Sequence, residues 1–251
     1  MSEEFELILR TEIEELKAEL AKLKAQEIKD IPIYFFSQMT FNKLHKLFNL
    51  RINITQEIFE QWFNNNIKLN QNDIEFFTDL INDNSFLIES YKEEDLKVKF
   101  ITPILNRIKF IDTDILFRDF YEEKITYKTD KFILTGQTDF LVAKGLEFSE
   151  KPYFFIQEFK KSIKNDDPRP QLLAELVAAV ELNNFTSMRG AYIVGAIWNF
   201  VILKKISTHK YQYFVSRNFD STDLEKLKGI YKNLLFVKNE IRQLIENENK
   251  E

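Results

Sequence analysis

The sequence predicts an α/β (α+β) domain built on a mixed β-sheet flanked by helices, preceded by a helical region. Three observations carry that expectation. After Tyr91 the texture of the chain runs helix, strands, helix, strands, helix. Residues 191–204 and 211–217 are rich in β-branched and aromatic side chains. Before residue 90 there is no glycine, and apolar residues recur at helical spacing.

Residues 3–29 read as one helix, with Leu9, Ile13, Leu16, Leu20 and Leu23 spaced four, three, four and three apart. That is a heptad seam of little more than two repeats. A lone helix of this length is marginal in water, so something must cover the leucines. Either the helix packs on its own domain, or residues 5–28 pair two chains in a short coiled coil. Asp30-Ile31-Pro32 ends it and opens a second region, 30–90, which reads as several helices, among them 55–65 and 72–81. Its aromatic residues, including Phe59, Trp62, Phe63, Phe76 and Phe77, fall at core spacing. Residues 41–50, with Lys43, His45, Lys46 and Arg51, form either a small DNA-contacting helix or a solvated charged face.

The third region, 91–251, begins with an amphipathic helix over 93–107, in which Pro103 predicts a kink or an early end. Strands are expected at 115–121, 124–128, 133–142 and 153–160. Pro168-x-Pro170 starts a helix over 171–182, and the two β-rich runs follow. Ser221-Thr222-Asp223 caps a last helix from Leu224 to about Glu246.

Composition removes whole classes of chemistry. The chain has 251 residues, 44% apolar, with 25 phenylalanines and a net charge of −5. Without cysteine there is no disulfide, thiol nucleophile or cysteine-ligated zinc. His45 and His209 are the only histidines, and none of the five glycines builds a phosphate-cradling loop. An enzyme on this chain would work with carboxylates, lysines and a metal. The start of the chain is acidic and lacks an apolar core, so no signal peptide is expected. The longest apolar run, 191–203, is broken by Asn199 and falls short of the ~20 residues a membrane span needs. The expected compartment is the cytoplasm.

Two strands hold the candidate chemistry. Asp139 sits between Thr138 and Phe140 in an otherwise apolar strand, where aspartate is depleted. Gly136, three residues earlier, permits a bulge or a close backbone approach. On the next strand, Phe155-Ile156-Gln157-Glu158-Phe159-Lys160 places Glu158 and Lys160 on one face by its period of two. Each piece alone has a plain structural reading: a turn aspartate, an ion pair, an edge strand entering solvent. Together they form a carboxylate-and-lysine cluster able to bind a hard divalent cation through oxygen.

With its flanks, this pattern resembles the PD-(D/E)xK restriction-endonuclease-like nuclease superfamily, particularly the nuclease domains of type I restriction subunits. Four pieces carry the resemblance: Glu93-x-Asp95-x-Lys97 leading to Pro103, Gly136-x-Thr138-Asp139-Phe140, Gln157-Glu158-Phe159-Lys160, and Pro170-Gln171-Leu172-Leu173-x-Glu175. The match spans about residues 91–217 and departs from the pattern in having Thr138 before the aspartate. It implies a restriction-endonuclease-like fold and a Mg2+- or Mn2+-dependent DNA endonuclease acting in restriction or defence. Asp139 and Glu158 would ligate the ion, with the Phe159 carbonyl as a further ligand and Glu93, rather than its neighbour Glu94 by the spacing to Pro103, reaching a water or a second ion. Lys160 would orient the attacking water and Gln171 would position the site. Lys161, Lys164, Arg169 and Arg189 are the expected contacts to the nucleic-acid backbone. A nuclease-like module that binds DNA or protein without catalysis, dimerising through its first helix, is the alternative.

Overall fold

The computed structural model describes residues 12–19, 31–162 and 167–248. It divides into two compact units, residues 1–33 with 128–133, and residues 34–127 with 134–251. In the first unit, residues 12–19 are helical, and Ile13 and Leu16 are 47% and 60% exposed. Leu9, Leu20 and Leu23, and so most of the expected coiled-coil seam, lie outside the described residues. Thr129 closes a turn with Phe132, accepting through its hydroxyl and donating its own N–H to the Phe132 carbonyl.

The second unit is mixed α/β, a large mixed sheet flanked by helices. Its strands are β1 (Ile33–Phe35), which starts at the unit boundary, β2 (Asn49–Asn53), β3 (Ile111–Asp112), β4 (Phe117–Lys128), β5 (Ile133–Lys144), β6 (Glu150–Lys160), β7 (Ser187–Val194), β8 (Ile197–Ser207), β9 (Lys210–Val215) and β10 (Phe219–Asp220). The main path runs β2-β9-β8-β7-β6-β5-β4-β3, and β10 pairs with β8. The β5/β6, β7/β8 and β8/β9 pairs are antiparallel, whereas β6/β7 and β2/β9 are parallel. The parallel β6/β7 pair needs a crossover, and the helix α6 (Pro168–Asn183) supplies it. Asp167 caps α6 by accepting from the Arg169 N–H, and Pro168 and Pro170 occupy its first turn.

The two faces of the sheet bury different partners. On one face, α7 (Leu224–Glu248) presents Leu227, Ile230, Leu234, Val237, Ile241 and Ile245 at spacings of three and four. They share a core with Phe155, Phe159 and Phe200 from the strands and with Trp62 and Phe77 from the earlier helices. On the other face lies α6, whose residues 170–180 are all buried. Its approach to β7 is close: a Cβ on Gly190 would lie 2.8 Å from the Ile156 carbonyl oxygen and 3.1 Å from Leu176.

Two expectations are corrected. Residues 30–90 are not a separate helical region. Besides the helices α1 (Phe41–Leu47), α2 (Glu60–Phe63) and α3 (Gln71–Asn84), they contain β2, which closes the sheet through β9, and Trp62 and Phe77 enter the main core. The local pattern was polar and short, and its strand pairing lies some 160 residues away, beyond the reach of periodicity. The helix expected over 93–107 is three pieces: α4 (Glu93–Leu96), a π turn (Lys97–Ile101) and α5 (Thr102–Ile108). Pro103 has no N–H for the carbonyl four residues back. The ladder widens instead, with the Thr102 N–H reaching the Lys97 carbonyl.

Candidate active site

The site forms where β5 and β6 part. Their antiparallel ladder runs to Phe140↔Gln157. One step beyond, side chains replace it. The Asp139 N–H donates to Glu158 Oε1 at 3.3 Å, and the Phe159 N–H donates to Asp139 Oδ2 at 2.8 Å. Each carboxylate is thus tied to the backbone of the opposite strand. Asp139 Oδ1 carries a third contact, an ion pair of 3.4 Å with Lys97 Nζ from the π turn.

Glu158 is fully buried on the α6 face of the sheet, and so is Glu175 of α6. Glu175 Oε1 accepts from the Gln171 amide at 3.1 Å, one helical turn earlier. As carboxylates, Glu158 Oε2 and Glu175 Oε2 have no hydrogen-bond partner. Burial drives the Glu158 carboxyl well above the ordinary carboxylate range, and the charges of Glu175 and Asp139 push it the same way, while Lys160 opposes them. Burial likewise raises Glu175, against its hydrogen bonds to Glu158 and Gln171. Both shifts run the same way, so the pair favours keeping a proton over ionising at both carboxyls. Two orphaned carboxylate oxygens beside a third carboxylate are a hard-oxygen donor set suited to a divalent cation. Among the described residues no three such groups are already arranged around an ion position. An ion entering here would replace the retained proton and release Lys97 from Asp139.

The structure brings Asp139 and Glu158 together, Lys160 acts on Glu158 and Glu175 through its charge, and Gln171 bonds Glu175. Phe159 contributes its N–H, while its ring enters the core on the opposite face. Glu93 reaches the end of β6, where its Oε2 accepts from the Lys161 N–H at 2.9 Å. The Lys161 ammonium turns back to the Glu89 and Tyr91 carbonyls, so this lysine fastens α4 to β6. Arg169 chelates its own helix cap, Asp167, and lies over the Phe41 ring. Lys164 lies outside the described residues. Arg189 does not face the site: it shares the α7 face with Ala191 and Ile193, bonds both oxygens of Glu240 at 2.7 Å, and packs over Trp62 and Phe236. Its expected backbone contact gives way to an internal clamp.

Lys97 and Glu175 are the site residues that the sequence reading left without a role. Glu175 was detectable as a carboxylate one helical turn after Gln171 in the apolar run Leu172–Val180. Lys97 was not, because the π turn resets which side chains of the segment point at β5. Comparison with protein-family models gives no match for this chain, and neither does comparison with curated proteins. Among the described residues, no helix is long and apolar enough to cross a membrane.

Proposed function

We propose that this chain is a Mg2+- or Mn2+-dependent nuclease of the PD-(D/E)xK kind, hydrolysing phosphodiester bonds of DNA. What supports the reading is the meeting of Asp139 and Glu158 where β5 and β6 diverge, with the charge of Lys160 acting on Glu158 and the buried Glu175 beside it. Asp139 and Glu158 would hold the ion, with the Phe159 carbonyl as a further ligand. When bound, the ion supplies Lewis acidity and makes water more acidic at neutral pH.

The protein's own groups do the rest. Lys160, on the same face as Glu158, orients the attacking water and offsets charge gathering on the phosphoryl oxygens. The water's oxygen would form the new bond to phosphorus while giving up one proton to solvent, and the bridging oxygen would leave with the bonding pair and take a proton back from solvent. Glu175 braces Glu158, and Gln171 fixes Glu175, so the ligand that must ionise is held rigidly. Lys97 neutralises Asp139 when no cation does. Glu93, at the open end of β6, orients water at the entrance. A restriction or defence role and self-association through residues 5–28 belong to the same proposal.

The test is incubation of supercoiled and linear duplex DNA with the purified chain and Mg2+ or Mn2+. Cleavage is expected, and Asp139→Ala or Lys160→Ala should abolish it without unfolding the protein. Metal-independent DNA binding with no cleavage under any condition would instead favour the non-catalytic module.

A further inference from the structure

Two basic clusters that lie some 160 residues apart in the sequence meet at the far edge of the sheet. The parallel β2/β9 register sets Asn49 against Lys210 and Arg51 against Gln212, and the Asn49 N–H bonds the His209 carbonyl at 2.9 Å. An open concavity of about 690 Å³ results, lined by residues 45–51 and 207–210. His45, Lys46, Arg51, His209 and Lys210 are all exposed there. No aspartate or glutamate is among its lining residues, although the chain carries 40 acids and a net charge of −5. Among the described residues, no carboxylate forms an ion pair with Lys46, Arg51 or Lys210. Asn49, Ser207 and Thr208 add neutral donors. The His209 ring is held against Phe48, with centroids 6.3 Å apart.

We infer that this concavity is a second nucleic-acid surface, one that grips the phosphodiester backbone away from the cleft. Unneutralised cations with hydroxyl and amide donors suit phosphate oxygens, and such contacts position a nucleic acid without reading its sequence. The cleft lies at the Lys160 end of the strands and the concavity at the Ser207 end of β8, four strand positions across. Eleven residues of β8 and four inter-strand steps put them about 35–40 Å apart, roughly 11 base pairs of duplex. The surface therefore adds affinity for longer DNA and takes no part in cutting.

This inference rests on the nuclease reading for its substrate, but its test separates the two. Binding of a labelled 30-base-pair duplex by the full-length chain is measured by fluorescence anisotropy in EDTA, from about 50 to 300 mM salt. The triple variant Lys46→Glu, Arg51→Glu, Lys210→Glu is compared with Lys68→Glu, Lys124→Glu, Lys226→Glu, which changes net charge equally elsewhere. The corresponding alanine triple variant guards against misfolding. The charge-reversed patch should bind at least tenfold more weakly than the control. The alanine triple should lose about 2–3 units of the log–log salt slope, at about 0.9 per phosphate contact. Equal affinity and slope in patch and control variants would overturn the inference, as would binding to phosphatidylserine vesicles without binding to DNA. Patch-dependent DNA binding by a chain that cleaves nothing would sink the nuclease reading alone. Cleavage and binding indifferent to the patch would sink the surface alone.

Discussion

Replacing Glu175 with glutamine should stabilise the metal-free protein above pH 7 and leave it nearly unchanged near pH 5. In the native state Glu175 keeps its proton from the ordinary 4.5 up to about 8, chiefly because burial disfavours its charge. The unfolded chain releases that proton near 4.5, so between these values the native state binds more protons, and stability falls as pH rises. The effect is complete once the folded carboxyl ionises. Three and a half tenfold steps at ~1.4 kcal/mol each set its size at up to about 5 kcal/mol. A glutamine amide does not titrate, still accepts from Gln171, and donates to the orphaned Glu158 oxygen. About 3 kcal/mol should therefore return at pH 8, or roughly 6–12 °C in melting temperature for a chain of this size. Urea denaturation in EDTA from pH 5 to 8.5 measures it. A wild-type stability that stays flat or rises across this window, with Glu175→Gln running parallel, would refute the retained-proton account.

Three further outcomes follow from the same geometry. Mn2+ or Mg2+ should raise the melting temperature more at pH 8 than at pH 6, because the ion displaces the retained proton, and EDTA should reverse the rise; a hundredfold excess over Kd is worth about 2.7 kcal/mol. A shift that persists in Asp139→Ala would place the ion elsewhere. Gly190→Ala should cost about 2–3 kcal/mol by thermal melting, since the new methyl meets the Ile156 carbonyl and Leu176 and lifts α6 from β7; an unchanged melt would contradict that packing. Arg189→Ala should lose about 1–3 kcal/mol from its partly exposed clamp on Glu240 yet leave DNA affinity within twofold, and a tenfold drop in affinity would return Arg189 to the binding surface.

What was legible in the sequence follows the range of the interactions. The alternation of β6 placed Glu158 and Lys160 on one face, and the two prolines announced the start of α6. The order of helices and strands after Tyr91 pointed to a mixed sheet. What escaped was non-local. β2 is a strand only because β9 offers it an edge, and nothing within Asn49–Asn53 says so. Lys97 reaches Asp139 through a π turn that a plain helical wheel does not contain. Arg189 follows the strand period away from the site, but its partner Glu240 comes from a helix 51 residues on. The buried carboxyl pair needs α6 seated on the sheet before Glu175 can meet Glu158, and that closeness depends on Gly190.

The most direct test is an anomalous-diffraction map of a crystal of this protein soaked in Mn2+. The account predicts a single peak between Asp139 and Glu158, within about 2.0–2.6 Å of their carboxylate oxygens as for hard cations, with the Lys97 ammonium withdrawn from Asp139. An intact Lys97–Asp139 pair and no peak at that position under saturating Mn2+ would contradict it.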